Sequence, residues 1–200
     1  MIRLGLTGSI GMGKTTTAGL FADAGVPVND ADQVVHDLYA GEAAPLVEAA
    51  FPGTVVNGVV DRQALSRHLA AHPADFKRLE AIIHPLVRDR ETAFLQQQKL
   101  AGADLVVLDI PLLFETASAD RVDFIAVVSC DPQIQRLRVL ARPGMTEEKF
   151  NLILARQMPD ADKRARANFL IDTGRGVDTA RKQVEAIIAA LRAGRTDRDG

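Results

Sequence analysis

Residues 2–15 read Ile2-Arg3-Leu4-Gly5-Leu6-Thr7-Gly8-Ser9-Ile10-Gly11-Met12-Gly13-Lys14-Thr15, and the fold class turns on them. Ile2–Thr7 is a short apolar run of strand character. It leads directly into residues 8–15, a complete G-x-x-x-x-G-K-[ST] motif. From Thr15 to Ala24 the pattern is helical, with Gly25 placed to end the helix. A glycine-rich turn between strand and helix lets backbone N–H groups converge on phosphate oxygens, because no Cβ stands in the way. The helix start adds the positive end of its dipole. The candidate nucleotide-binding set is therefore Gly8, Gly11, Met12, Gly13, Lys14, Thr15 and Thr16. Lys14 is placed to bridge the β- and γ-phosphates, and the Thr15 hydroxyl to ligate Mg²⁺.

Outward from this loop, strand-like and helix-like segments alternate, which predicts an α/β protein with a parallel sheet. Val26–Asn29 reads as a second strand ending at Asp30 and Asp32. Leu105–Ile110 and Phe124–Ser129 are almost continuously apolar, as strands buried on both faces are. Asn168–Ile171 is a weaker fifth strand. Asp131-Pro132 starts a helix, and Asp178 starts the last one, whose Val184, Ile187, Ile188 and Leu191 share a face.

Two stretches break the alternation. Residues 61–102 are helical in pattern, with Phe76, Leu79, Ile83 and Leu86 on one apolar face and a kink or break expected at Pro85 near His84. Residues 142–158 carry a Pro143-Gly144 turn and a short helix capped by Thr146. The expected organisation is one domain over residues 1–200, with its core in 1–57, 103–141 and 160–194. A helical substrate insert occupies 58–102 and a lid 142–159. The tail after Gly194 is polar and is expected to fray.

Bulk properties narrow the class. The 200 residues carry a net charge of −2, which disfavours a nucleic-acid partner. Cys130 is the only cysteine, so no intrachain disulfide or cysteine-based zinc site can form. No apolar run approaches the roughly 18 residues of a membrane span. A cytoplasmic protein without a membrane partner, monomeric or weakly self-associating, is expected.

The phosphate loop implies nucleotide binding but not a reaction. None of the four asparagines precedes a lysine, so the guanine-reading Asn-Lys-x-Asp is missing. Position 8, where partitioning ATPases carry an extra lysine, is glycine. Phosphoryl transfer to a small molecule is favoured. Such a reaction needs a group that orients the acceptor hydroxyl and takes its proton. Asp30 and Asp32, following the second strand, are suitably placed at the sheet edge where ligands of open α/β sheets bind. The spacing leaves open whether they serve as base or merely cap the following helix.

At this point the sequence resembles the dephospho-CoA kinase family. The resemblance rests on the phosphate loop followed by Asp30-Ala31-Asp32 and His36. Ile83-His84-Pro85-Leu86-Val87 and Asp109-Ile110-Pro111-Leu112-Leu113-Phe114-Glu115 come next. Gln135-Arg136-Leu137 with Arg142, Arg156-Gln157-Met158 and Asp172-Thr173-Gly174 complete it. It implies a three-layer P-loop kinase with a five-stranded parallel sheet. It also implies MgATP-dependent phosphorylation of the ribose 3′-hydroxyl of dephospho-CoA, with ATP and dephospho-CoA as partners. By the same resemblance Asp32 is the candidate general base, while Lys14 and Arg142 stabilise the transferring phosphoryl. The insert with His84 forms the CoA lobe. Apart from the resemblance, Arg62 and Arg156 are further substrate-binding candidates, and Asp109, ending an apolar strand, either supports Mg²⁺ or hydrogen-bonds the phosphate loop or Thr15. Met12 stands where a serine is expected, and Thr173 where an asparagine is.

Some signals read as ordinary surface or core. His68 and His72 share a helix face, but no third metal ligand is evident in the sequence, so a solvated surface is expected. Arg136, Arg138, Arg142, Arg156, Lys163, Arg164 and Arg166 make the lid region basic, suited to a polyphosphate cleft. Cys130 reads as a small core residue.

Overall fold

The computed structural model describes residues 1–194, and the tail expected to fray lies outside the described residues. In chain order the strands are β1 (Ile2–Thr7), β2 (Val28–Asp30), β3 (Val55–Val56), β4 (Val59–Val60), β5 (Leu105–Asp109), β6 (Phe124–Ser129) and β7 (Phe169–Asp172). The helices are α1 (Lys14–Asp23), α2 (Ala31–Tyr39), α3 (Ala43–Ala50), α4 (Arg62–Ala71), α5 (Asp75–Leu100), α6 (Pro132–Leu140), α7 (Glu147–Ala155), α8 (Asp160–Ala165) and α9 (Val177–Arg192). The contacts divide the chain into two compact units. One comprises residues 1–29 with the chain from 98 onward, the other residues 30–97.

The first unit is built on a five-stranded parallel sheet of order β2-β5-β1-β6-β7. Leu4, Leu6, Val106, Val107, Ala126, Val127 and Val128 are fully buried, which is why their strands read as continuous apolar runs. The expected face of α9 is buried in one cluster with Leu20 and Phe21 of α1. The second strand starts two residues later than expected. Gly25 N–H donates to Ala22 O and Val26 N–H to Phe21 O. That pair of bonds closes α1 in a Schellman motif and withholds Val26 from the sheet.

The second unit has its own core, in which Leu38, Val47, Phe51, Leu65, Leu69 and Ile83 are buried together. The boundary therefore falls at residue 30, not 58: α2, α3 and the β3–β4 hairpin bury their apolar sides with the insert helices. The hairpin turns at Asn57-Gly58, both with positive φ, the two-residue turn that matches strand twist. One expectation is narrowed here and another fails. The helix does not break at Pro85, and α5 runs through it. Pro85 and Ala81 lie on the exposed side, where water can serve the carbonyl that loses its N–H partner. Phe76 does not join the apolar face, since it remains 48% exposed.

Candidate active site

The phosphate loop leaves the C-terminal end of β1 with no room for a side chain. A Cβ on Gly8 would stand 2.3 Å from Val128 Cγ2 and 2.8 Å from Val128 O. Gly13 is the N-cap of α1, with no side-chain cap and no acidic residue in the first turn. The first amides of a helix have no intrahelical acceptors, so here they and the dipole are left for an external anion.

Met12 behaves differently from expectation. Its N–H donates to Ser9 O at 3.1 Å, so that amide is committed within the turn and does not face outward. Its side chain is 2% exposed, and Cys130 N–H donates to its Sδ at 3.2 Å. Methionine thus fills core volume where a serine was anticipated, and Cys130 packs against it as a small core residue. Burial raises the Cys130 thiol pKa above its ordinary value, against the opposing influence of Arg138.

Lys14 Nζ lies 2.6 Å from Asp109 Oδ1 at the end of β5, and Asp109 is 1% exposed. Of the two roles open to Asp109, metal support or a bond to the phosphate loop, the second is seen here. The Thr15 and Thr16 side chains are exposed. Beside the loop lies a cavity of about 280 Å³, lined by Gly13, Thr16, Arg138, Arg142, Thr173 and Val177 among others. Arg138 donates to Thr173 Oγ1 at 3.1 Å and to Thr173 O at 2.8 Å. The Thr173 hydroxyl in turn donates to Met12 O at 2.7 Å. Thr173 therefore braces the phosphate loop, and its only side-chain donor is spent.

A second brace escaped the sequence reading. Ile10 N–H donates to Gln157 Oε1 at 3.0 Å, and Gln135 Nε2 donates to Ile10 O at 2.7 Å. The phosphate loop is thereby tied to α6 and to the segment just after α7. Sequence separations of 147 and 125 residues left no spacing signal for these contacts. Gln157→Ala should raise the KM for ATP roughly two- to tenfold, the scale of one hydrogen bond of about 0.5–1.5 kcal/mol. Gln157→Glu keeps the acceptor and should show less of the effect in steady-state assays.

The next residue is anchored too. Met158 N–H donates to Glu115 Oε1 at 2.8 Å. Lys163 Nζ sits 2.8 Å from the same oxygen and forms a buried ion pair with it. Lys163 is fully buried, which corrects its expected place among solvated cleft-facing cations. Burial pushes the Glu115 carboxyl up, but the Lys163 ammonium and Met158 N–H outweigh this and hold it below its ordinary value. A depressed folded-state pKa adds stability above the unfolded value and loses it as pH falls through the folded one. Lys163→Met should cost about 3 kcal/mol, a fall of roughly 6–12 °C in Tm by calorimetry.

The remaining candidates occupy separate elements. Arg142 lines the cavity described above, just past α6. Arg156 closes α7 and borders a hollow with Met145, Lys149, Leu152 and Ile153. Arg136 pairs with Glu147. In the second unit, Arg62 stacks over Tyr39 at 5.5 Å, and His36 and His84 are exposed. The Asp30 or Asp32 ambiguity resolves in part: Asp30 Oδ1 accepts from Asp32 N–H at 2.9 Å and Gln33 N–H at 3.2 Å. Asp30 is the cap. Asp32 is exposed, and among the described residues no partner engages its carboxylate.

Comparison with known proteins agrees with these features. The sequence profile of the dephospho-CoA kinase family matches residues 2–179. A dephospho-CoA kinase of Rhizobium etli is 64% identical over 192 residues, spanning 96% of this chain and 95% of that protein. A crystal structure from Thermus thermophilus superposes with a TM-score of 0.79 at 34% identity, covering 95% of this chain and 97% of that one. The fold is also that of dephospho-CoA kinase from Campylobacter jejuni, with a TM-score of 0.71 at 21% identity and 96% and 98% coverage. With a profile match over most of its length and a close relative over nearly all of it, this chain belongs to the dephospho-CoA kinase family.

Proposed function

We propose that this protein transfers the γ-phosphoryl group of ATP to the ribose 3′-hydroxyl of dephospho-CoA, giving CoA and ADP, the last step of coenzyme A biosynthesis. The observation that carries the reading is the uncapped start of α1 behind a complete phosphate loop, with Lys14 held by Asp109, in a chain of this family. The amides of the first turn of α1 bind phosphate oxygens, and Lys14 exchanges Asp109 for the β- and γ-phosphates. The acceptor oxygen forms a bond to the γ-phosphorus as the bond to the β,γ-bridging oxygen breaks, and Asp32 takes the hydroxyl proton.

Arg142 adds positive charge against the transferring group, and residues 142–159 act as a lid that excludes water. The cavity at Arg138, Thr173 and Val177 has the size and position for the nucleobase of ATP. The exposed Thr15 hydroxyl and the buried Asp109 carboxylate are hard oxygen donors of the kind Mg²⁺ prefers. When bound, Mg²⁺ would neutralise phosphate charge, and Thr15 and Asp109 are the residues that would hold it. Arg62, His84 and Arg156 serve the CoA substrate, the first two from the helical insert. No helix among the described residues is long and apolar enough to cross a membrane, and a cytoplasmic site of action suits an ATP-consuming enzyme.

The test is mass spectrometry of the product after incubation with MgATP. One added phosphate on the terminal ribose of dephospho-CoA supports the proposal. Phosphorylation of nucleoside monophosphates with none of dephospho-CoA refutes the substrate, and ATP hydrolysis indifferent to any acceptor refutes the transfer.

A further inference from the structure

We propose that His68, His72 and Asp75 form a binding site for one transition-metal dication of the zinc type, within the helical unit and separate from any Mg²⁺ of the kinase reaction. The sequence offered only the histidine pair, His68 on α4 and His72 at its end. Folding brings a third donor beside it from the first residue of α5, and one donor atom from each residue lies within 4.8 Å of the others. Donors around a tetrahedral ion at about 2.1 Å stand roughly 3.4 Å apart. The set stands open by up to about 1.4 Å relative to that spacing, and side-chain torsions must close it.

Four observations favour a site over a chance cluster. First, the backbone linking the two helices is fixed, because Asp75 N–H donates to His72 O at 3.0 Å and His72 N–H to His68 O at 2.9 Å. Second, the His72 ring nitrogen Nδ1 lies 3.2 Å from His68 O. A carbonyl oxygen only accepts, so Nδ1 carries the proton in this contact and the neutral ring keeps its lone pair on Nε2, as in histidine ligands oriented by a backbone carbonyl. Third, the two rings are stacked at 4.7 Å and 27°, and Phe51 backs His68 at 5.3 Å, which limits the orientations of the pair. Fourth, His68 Nε2 meets Asp75 Oδ2 at 2.8 Å. An ion inserted there displaces the bridging proton, which passes to Nδ1 of the same ring or to solvent.

Two imidazoles and one carboxylate are the donors of zinc chemistry rather than of the all-oxygen shells that Mg²⁺ and Ca²⁺ favour. With three protein ligands the fourth position is left to water. Such an ion would clasp α4 to α5 across the His72–Asp75 turn.

The experiment is calorimetric titration of Zn²⁺ into untagged, chelator-stripped protein with excess Mg²⁺ present to occupy oxygen-donor sites. The expected result is saturable uptake of one equivalent, with Tm rising with Zn²⁺ concentration. His72→Ala and Asp75→Asn should each weaken binding at least about tenfold, the scale that even an outer partner of a metal ligand commands. Absence of stoichiometric uptake overturns the proposal. So does wild-type affinity in Asp75→Asn, which would reduce the cluster to an adventitious histidine pair.

Discussion

Lys14→Met is expected to lower the rate of dephospho-CoA phosphorylation by at least about 10²–10³-fold, the usual loss when one preorganised donor to transition-state charge is removed. Lys14 is the only residue of the loop that brings a full positive charge to the phosphates, the rest being backbone dipoles. Methionine keeps nearly the same length and apolar stem, so the change isolates the ammonium. Because Asp109 is buried and loses that ammonium as well, folding must be measured alongside activity. Lys14→Met combined with Asp109→Asn removes both charges and should recover much of any lost stability without recovering turnover. A coupled assay of ADP release on both variants, with Tm for each, separates the two effects. Turnover near wild type in a folded Lys14→Met protein would remove the phosphate loop from the mechanism.

The parts of this fold legible in the sequence are those governed by short-range physics. Strands buried on both faces must be apolar throughout, so β5 and β6 were found nearly to the residue. Asp131-Pro132 and Thr146 announced their helices because capping is a contact over two or three residues. Asn57-Gly58 is an equally local signal of the β3–β4 hairpin, and it went unread. Pro85 misled because its cost depends on which side of the helix it occupies, and only the tertiary structure decides that.

The site divides along the same line. The loop residues were named from their spacing, since a phosphate cradle is built from consecutive backbone. What holds the cradle in shape was not visible: Gln157 and Gln135 on Ile10, Thr173 on Met12 with Arg138 behind it, Lys163 on Glu115. Each joins segments far apart in the chain, through side chains whose types are common on any surface. Lys163 is the sharpest case, a lysine in a basic helical stretch that is in fact fully buried. The partner that makes its burial tolerable, Glu115, lies in another element of the fold.

Asp32→Asn is expected to leave ATP binding intact and to lower kcat about 10²–10⁴-fold, the range for loss of a general base. The structure makes this substitution unusually clean. The cap of α2 belongs to Asp30, whose Oδ1 receives both amides. Asparagine at position 32 therefore removes no capping bond and forfeits only a favourable charge near a helix start, about 0.3–1 kcal/mol. The reciprocal variant, Asp30→Ala, should do the opposite: lose about 1 kcal/mol of stability with the cap while keeping the carboxylate that takes the proton. Measuring kcat, KM for ATP and Tm on both proteins gives two independent contrasts. If Asp32→Asn turns over at the wild-type rate, the acceptor hydroxyl needs no base from this residue, and its exposed carboxylate is only a surface charge.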